Sequence, residues 1–256
     1  MSVRSYLGLG VCAVAGALLA TVALAPAAWL SKAVNNATEG RVLLSGAQGT
    51  VWTGSSQLVL SGGPQSQSAS RLPDGVQWQV RPRWTGLRLT LTAPCCAPQG
   101  LQLDVRLQGL GLALTLQDQQ SRWPAQLLAG LGTPWNTLQL QGDLSLQSQN
   151  LTLNLAAQNW TSTGQLVLQA QGMSSQLSTL RPMGSYTLTL QGGATPTLQL
   201  QTAQGPLRLS GEGLWVGGRL RFTGEASAEP AQEAELANLL NIMGRRNGAR
   251  SVITLG

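Results

Sequence analysis

The chain has 256 residues, of which 43% are hydrophobic but only 10% charged and 4% aromatic, with a formal net charge of +6. Globular domains usually carry about 25% charged residues, so most polar positions here are uncharged, and 27 of them are Gln. The chain contains no His, which excludes Ser-His-Asp and Cys-His triads and His-ligated zinc sites. Without Arg4 and Lys32, residues 33–256 carry +4, which is too dilute for a nucleic-acid-binding surface.

The N-terminal region contains a long apolar segment. From Tyr6 to Leu30 no side chain is charged, and a helix of this length reaches about 37 Å, enough to cross a bilayer with some tilt. A cleaved signal peptide would use the site Ala25-Pro26-Ala27, but the apolar run continues beyond it. A lipoprotein would need a small residue before Cys12, where Val11 stands. The pattern therefore favours an uncleaved transmembrane anchor.

The orientation of this anchor follows from its flanking charges. The short tail carries Arg4 and the α-amino group, and positive charge favours the cytoplasmic side. We therefore expect a cytoplasmic tail at 1–5, a single-pass transmembrane anchor at 6–30, a linker at 31–40 and a β-rich domain at 41–256 on the outer side.

Alternation of Leu with polar residues dominates the rest of the chain. Clear examples are LRLTL at 87–91 and LQLDVRL at 101–107, and the pattern recurs to residue 222. Because side chains alternate between the two faces of a strand, each segment has one Leu face and one Gln, Thr, Ser or Arg face. Glycine-containing turns such as Gly192-Gly193 separate the segments. The sequence thus predicts a mainly β, antiparallel domain of about twelve to sixteen strands.

One segment near the C-terminus has helical spacing instead. After Glu229-Pro230, the apolar residues Leu236, Leu239, Leu240 and Met243 predict a short amphipathic helix. Gly244 is placed to end the helix, with Arg245 and Arg246 just beyond it, and a closing strand is expected at 251–255.

No catalytic constellation stands out among the ten carboxylates. Asp104 is predicted on the wet face of a strand, Asp143 in a turn, and three glutamates at the helix start. A glycosidase needs two carboxyl groups facing each other across a cleft, and 46–50 lacks the lysine of a phosphate-binding loop. We predict no enzyme activity, no cofactor and no metal site.

Cys95 and Cys96 are adjacent, between Pro94 and Pro98, and are expected in a loop between strands that end at Thr92 and start at Leu101. In an oxidising compartment exposed thiols seldom stay free. A disulfide between the two, intermolecular bonds, or burial as reduced thiols remain open alternatives.

Arginines occur in local groups, which we take as candidate interaction residues. These groups are Arg81 with Arg83 (near Trp84 and Arg88), Arg219 with Arg221, and Arg245 with Arg246. They are suited to pair with lipid phosphates or with an acidic partner. The alternative is that they are solvated strand faces that deter edge-to-edge pairing.

Several blocks in order resemble the type II secretion system protein N family. They are GAQGTVWTG (46–54), VQWQVRP (76–82), GSYTL (184–188), GPLRLSG (205–211), WVGGRL (215–220), LANLLNIMGRR (236–246) and GARSVITLG (248–256). Each block is weak alone, but together and in this order they are specific. The sequence is also distantly similar to AsmA-like envelope proteins, which build long curved sheets with an apolar groove.

The resemblance implies a single-pass inner-membrane protein of a Gram-negative bacterium with a periplasmic β-domain. It implies an accessory, non-catalytic role in the machine that exports folded proteins, with other inner-membrane platform proteins as partners. Two hypotheses follow from the sequence: a scaffold or adaptor of this machine, and a lipid-binding module that shelters acyl chains in an apolar β-groove.

Overall fold

The structure is a computed structural model that describes residues 16–17, 20–109, 111–156, 160–216 and 218–256. Its helices are α1 (Ala27–Ala37), α2 (Trp135–Leu138) and α3 (Glu233–Met243), with 3₁₀ helices at Ala125–Leu131 and Pro230–Gln232. Its strands are β1 (Val42–Gly49), β2 (Thr53–Ser61), β3 (Ala69–Arg71), β4 (Val76–Arg83), β5 (Gly86–Ala93), β6 (Ala97–Gln108), β7 (Gly111–Leu116), β8 (Gln119–Pro124), β9 (Gln141–Leu155), β10 (Trp160–Ser174), β11 (Gly184–Gly193), β12 (Thr197–Gln204), β13 (Leu207–Val216), β14 (Arg219–Ala228), β15 (Arg245–Asn247) and β16 (Arg250–Leu255).

All sixteen strands belong to one antiparallel sheet. Its order is β1-β2-β4-β5-β6-β7-β9-β10-β11-β12-β13-β14-β16-β15, with β3 beside β2 and β8 beside β9. Within the described residues the outermost strands, β1 and β15, do not pair with each other, so the sheet is open. The predicted mainly β architecture, the strand number and the antiparallel pairing are confirmed.

The connections between strands divide the sheet into two ends. At one end, short turns join β1 to β2, β4 to β5, β6 to β7, β9 to β10, β11 to β12 and β13 to β14; we call this the open end. At the other end lie the long connections, which contain α2, α3, both 3₁₀ helices and residues 175–183; we call this the covered end. The topology therefore gathers the covering elements at a single end.

One face of the sheet carries the leucines, and we call it the Leu face. Leu146, Leu168, Leu188 and Leu200 are direct neighbours across β9 to β12. In the N-terminal half, Leu89, Leu103, Leu116 and Leu151 are neighbours across β5, β6, β7 and β9. All eight are only half-buried. The middle of the Leu face is therefore not sealed by a second layer.

A β-bulge keeps the leucines of β9 on this face. They occupy even positions up to Leu146 and odd positions from Leu151, which in a regular strand would put the two groups on opposite faces. The pairing of β9 with β10 shifts between Gln149 and Thr152, where two residues of β9 oppose the single residue Gly164. Asn150 has φ +48° and Gly164 has φ +82°. The extra residue restores the face.

The covered end contains the fully buried core. Helix α3 presents Leu236, Leu239 and Leu240, which pack with Leu207 of β13, and each such burial contributes about 1.5–3 kcal/mol. The Ser251 hydroxyl donates to the Leu240 carbonyl at 2.6 Å and satisfies one of the free carbonyls at the helix end. The predicted amphipathic helix and its apolar positions are confirmed.

Gly244 follows the last residue of α3, as predicted. Its φ is −174°, which is extended and not left-handed. A Cβ at this position would collide with the Val252 carbonyl oxygen of β16. A glycine is needed here because β16 passes close to the main chain, and this long-range contact is not visible in the local sequence.

Helix α1 covers the outer edge of β1. The Arg41 carbonyl faces β2, because it accepts the Ser61 amide at 2.8 Å, so the main-chain groups of Val42 and Leu44 face away from β2. The Ser31 hydroxyl of α1 donates to the Leu44 carbonyl at 2.7 Å, and Thr38 Oγ1 accepts the Val42 amide at 3.1 Å. These contacts block an edge that would otherwise be open to strand addition.

About half of the predicted anchor 6–30 lies outside the described residues, which begin at 16 and omit 18–19. In the described part of the predicted segment 6–30, helical residues end before Ala25, and α1 starts at Ala27 and extends through most of the predicted linker 31–40. Pro26 interrupts the helix because it lacks an amide hydrogen and disfavours helix at the preceding residue. Among the described residues, no helix has the length and apolar character needed to span a membrane.

Candidate functional site

The open end exposes large apolar side chains at the tips of its hairpins. Trp84, in the turn between β4 and β5, is 106% exposed, and Leu107, at the end of β6, is 75% exposed. Further exposed apolar residues at the same end are Leu87, Leu112, Leu155, Leu214, Val216 and Leu255. Neighbouring tips thus form a rim of apolar side chains, whereas at the covered end leucines of the same face are sealed in the core.

Arginines surround the β4–β5 tip on the face opposite the leucines. Arg81 is paired in register with Arg88, which is paired with Asp104. Arg83 is paired with Gly86, which is paired with Arg106. Arg81, Arg83 and Arg106 are exposed and form no salt bridge within the described residues. Grouping arginines by their closeness in the sequence missed Arg106, because only the strand pairing brings it to this site.

Arg88 and Asp104 form the ordered centre of this group. The guanidinium Nε and Nη2 donate to the two Asp104 carboxylate oxygens at 2.6 and 2.7 Å, and Gln117 Nε2 donates to Oδ2 at 2.8 Å. Asp104 is only 4% exposed. The hydrogen bonds from Arg88 hold the pKa of the Asp104 carboxyl below its ordinary value, despite burial that opposes the shift, and they raise the pKa of Arg88. Asp104 is therefore a charged structural partner and not a proton donor.

A small hollow of about 220 Å³ lies over this pair, with Arg83, Trp84 and Arg106 on its walls. A larger hollow of about 520 Å³ lies between β2, β4 and β5 and is lined by uncharged residues such as Gln48, Gln77 and Thr90. Within the part of the chain that the structure describes, no three His, Cys, Asp or Glu side chains are grouped as metal ligands.

The other predicted arginine groups lie elsewhere on the sheet. Arg219 and Arg221 are exposed at the open end on β14, on the same face as Leu214 and Val216. Nine strand steps separate β14 from β4, which is about 43 Å measured along the sheet.

Arg245 and Arg246 lie at the covered end on β15. Arg246 bonds Glu233 at 2.9 Å, so this pair joins α3 to the sheet edge. The six arginines therefore do not form one site, and Arg246 has a structural partner of its own.

The chain that precedes α1 is fixed to the open end. Trp52 Nε1 donates to the Val22 carbonyl at 2.8 Å, and the Val51 amide donates to the Ala25 carbonyl at 2.9 Å. Pro26 forms an isolated bridge with Thr50. The β1–β2 turn thus holds residues 22–26 by several hydrogen bonds, while Val22 and Leu24 themselves remain exposed. Sequence patterns give no signal for this contact, because its two halves are about thirty residues apart.

Cys95 and Cys96 form a disulfide between adjacent residues in the structure. They lie in a tight turn, since β5 ends at Ala93 and β6 begins at Ala97; the expected loop from Thr92 to Leu101 is shorter than predicted. Cys96 is buried beside Ala97 in the smaller core cluster, whereas Cys95 is exposed. This turn belongs to the covered end and is remote from Arg81, Arg83 and Arg106.

The fold and this site define a class of protein: an open, one-sided β-sheet with an exposed apolar rim, arginines beside it, and residues 22–26 bonded to the same end. The sequence model of the type II secretion system protein N family matches residues 40–253. The chain therefore belongs to the type II secretion system protein N family, as the sequence blocks indicated. No curated protein and no protein of known structure matches it.

Membership of this family gives the coarse function. The protein takes part in type II secretion and protein transport, associates with the cell envelope and interacts with components of the secretion system. The family is an accessory part of that machinery and is not known for enzyme activity.

Proposed function

We propose that this protein is a scaffold or adaptor of the type II secretion machinery, anchored in the inner membrane by its N-terminal segment with the β-domain in the periplasm. One observation carries the proposal: the β1–β2 turn holds residues 22–26 through the bonds Trp52 to Val22 and Val51 to Ala25. A domain joined to its anchor by fixed hydrogen bonds, and not by a flexible linker, has a defined orientation. A scaffold needs this property in order to hold a partner in place.

The exposed arginines are the proposed contact points with other platform proteins. Arg81, Arg83, Arg219 and Arg221 project from one face of a large sheet, and arginine is enriched at protein interfaces because its guanidinium makes several directed hydrogen bonds. The proposal includes no catalysis, since the chain lacks His and the buried carboxylate of Asp104 is bonded to Arg88.

Photo-crosslinking in living cells tests this proposal. A photoreactive amino acid replaces Arg81, Arg83, Arg219, Arg221 or Arg245 in the full chain, and cross-linked proteins are identified by mass spectrometry. Gln199 and Gln201 are matched control positions, because both are exposed and lie on the same face of the sheet as Arg219 and Arg221. We expect adducts with secretion-system components from one or more arginine positions and not from the controls. Recovery of no such component from any arginine position would contradict the proposal.

A lipid-binding function is a second candidate, and the half-buried leucines in the middle of the Leu face favour it. Leu103, Leu116 and Leu151 have no covering layer comparable with α3, and an uncovered apolar trough suits acyl chains. Native mass spectrometry of the full chain released from mild detergent tests this function. We expect a bound phospholipid mass, and its loss when Leu116 is replaced by Gln. Detection of lipid-free protein alone would exclude this second candidate.

A further inference from the structure

Exposed charge is distributed unevenly between the two ends of the sheet. The open end carries Arg81, Arg83, Arg106, Arg219 and Arg221, all exposed and without a salt bridge among the described residues. Two described carboxylates lie near this end: Asp104 is buried and bonded to Arg88, and Glu212 is exposed on β13. At the covered end, Glu225, Glu229 and Glu233 each bond an arginine. Exposed arginines outside any described salt bridge, such as Arg71 and Arg181, also occur away from this end, but more carboxylates accompany them. The open end is therefore the more basic end of the sheet.

The same end projects apolar side chains into solvent. Trp84 extends from a tip that lies between Arg83 and Arg106, and Leu107 extends from the neighbouring tip. Exposing such side chains in water is unfavourable. Trp at the end of a hairpin, with long Arg side chains beside it, is the arrangement that suits the boundary between lipid headgroups and acyl chains, where indole and guanidinium can both keep polar contacts.

The position of the N-terminal segment points in the same direction. Residues 22–26 are bonded to the β1–β2 turn, which belongs to the open end. The sequence before them has no charged side chain back to Tyr6. Residues 22–26 of this apolar sequence and the basic rim therefore lie at one end of the sheet.

We propose that the open end lies against an anionic phospholipid surface, with Arg81, Arg83, Arg106, Arg219 and Arg221 at headgroup phosphates and Trp84 and Leu107 in the interfacial layer. This inference goes beyond the scaffold role and rests on it only for the attachment of the N-terminal segment to the bilayer. A membrane fits better than an acidic protein, because the two arginine groups are about 43 Å apart along the sheet and the apolar residues project from separate tips. Both features match a broad, fluid surface.

Quenching of tryptophan fluorescence by lipids with brominated acyl chains tests the proposal. The full chain is reconstituted in vesicles of phosphatidylcholine, alone or mixed with phosphatidylglycerol, and the share of Trp84 is the difference between the wild type and Trp84→Phe. Trp135→Phe is the matched control, since Trp135 is also partly exposed but lies at the covered end. We expect the lipids to quench the fluorescence contributed by Trp84 in anionic vesicles. The fluorescence contributed by Trp135 should not be quenched.

Arginine variants test the role of charge. Arg83→Gln with Arg106→Gln removes two exposed rim arginines, and Arg71→Gln with Arg181→Gln removes two exposed arginines outside the rim. The double variant at Arg83 and Arg106 should lower the equilibrium constant for contact between the open end and the anionic vesicle surface about 30-fold, since each arginine near such a surface contributes roughly 1 kcal/mol. The second pair should leave Trp84 quenching unchanged. Circular dichroism confirms that all variants are folded.

The outcomes are distinct. Protein that floats with the vesicles but shows no quenching of Trp84 would overturn the proposal, as would quenching that is equal in neutral vesicles and insensitive to the rim variants. Shielding of Trp84 only after secretion-system proteins are added would assign the rim to an acidic protein partner instead. Failure of the protein to float would contradict the membrane anchor, and hence the proposed function, and it would remove the basis for the rim contact as well.

Discussion

At the scale of single residues, the sheet buries the carboxylate of Asp104 and pairs it with the guanidinium of Arg88. Asp104 is buried, but it accepts two hydrogen bonds from Arg88 and one from Gln117. The alternating sequence predicted Asp104 on the polar face, which is correct. Its burial was not predictable, because it depends on Gln117, which follows β7 and is brought to Asp104 by the chain's return along β6.

Replacing Asp104 with Asn should destabilise the protein in a pH-dependent way. The pKa of Asp104 is lowered in the fold by Arg88, so the pair contributes its full stability above the unfolded-state pKa of about 3.9. That contribution is lost as the pH falls through the folded-state value. The difference in unfolding free energy between wild type and Asp104→Asn should be largest at neutral pH and should shrink below about pH 4.

Urea denaturation at several pH values measures this difference. Glu212→Gln, at an exposed position of β13, is the control and should change stability by no more than about 0.5 kcal/mol. An Asp104→Asn effect that is the same at acidic and neutral pH would show that the ion pair is not the cause.

The cysteines give a second prediction at this scale. We expect a disulfide bond between Cys95 and Cys96 in protein taken from cells. Cys96 is buried in the turn between β5 and β6, and the described residues contain no other cysteine with which either could pair. Alkylation of the denatured, unreduced protein should label Cys12 alone, and labelling after reduction should reach all three cysteines. Mass spectrometry reads the number of adducts, and three adducts without reduction would contradict the bond.

At the scale of secondary-structure elements, helix α3 closes the covered end. Leu240→Ala should lower the free energy of unfolding by about 2–5 kcal/mol, because Leu240 is fully buried among neighbours that cannot collapse completely. The matched control is Asn241→Ala, which alters the next residue on the exposed side of the helix. Chemical denaturation measures both variants, and an equal effect of the two would show that α3 is not packed on the sheet.

Helix α1 should protect the edge of β1. Thr38→Val removes the acceptor of the Val42 amide, and loss of a hydrogen bond worth about 1 kcal/mol should accelerate its exchange roughly fivefold. Hydrogen-exchange mass spectrometry of a peptide that covers 40–46 measures this rate. Thr195→Val, in the exposed β11–β12 turn, is the control and should leave the exchange unchanged. Unchanged exchange in Thr38→Val would mean that Thr38, the residue that follows α1, does not hold the Val42 amide.

The elements also show the limit of reading periodicity alone. Alternation predicted the strands and helical spacing predicted α3, because both depend on the order of side chains along the chain. Asn150 and Gly164 were not recognised as a bulge, although the change from even to odd leucines in β9 was the visible signal. The sequence predicts anchor up to residue 30 and linker from 31, whereas the structure has one helix α1 over Ala27–Ala37, because that helix is placed by its contacts with the edge of β1.

At the scale of the whole molecule, the two ends of one sheet face have different environments. Leu207 is 1% exposed beneath α3, whereas Leu107 is 75% exposed at a tip. Leu207→Asp should abolish stable folding, with a cost above about 4 kcal/mol for a buried, unpaired charge. Leu107→Asp should change stability by no more than about 0.5 kcal/mol. Thermal unfolding followed by circular dichroism compares the two, and similar losses would mean that the tip is covered.

The sequence by itself determined the composition of each strand face, the single late helix and the family, because these depend on local order and on matching residues. It also showed low charge and no His, which excluded a class of chemistry. Only the tertiary structure decided that the sheet stays open, that every long connection gathers at one end, and that Arg106 joins Arg81 and Arg83 beside Trp84. Those features arise from strand pairing and antiparallel topology, which bring together residues far apart in the chain, and local alternation carries no information about which strands will be neighbours.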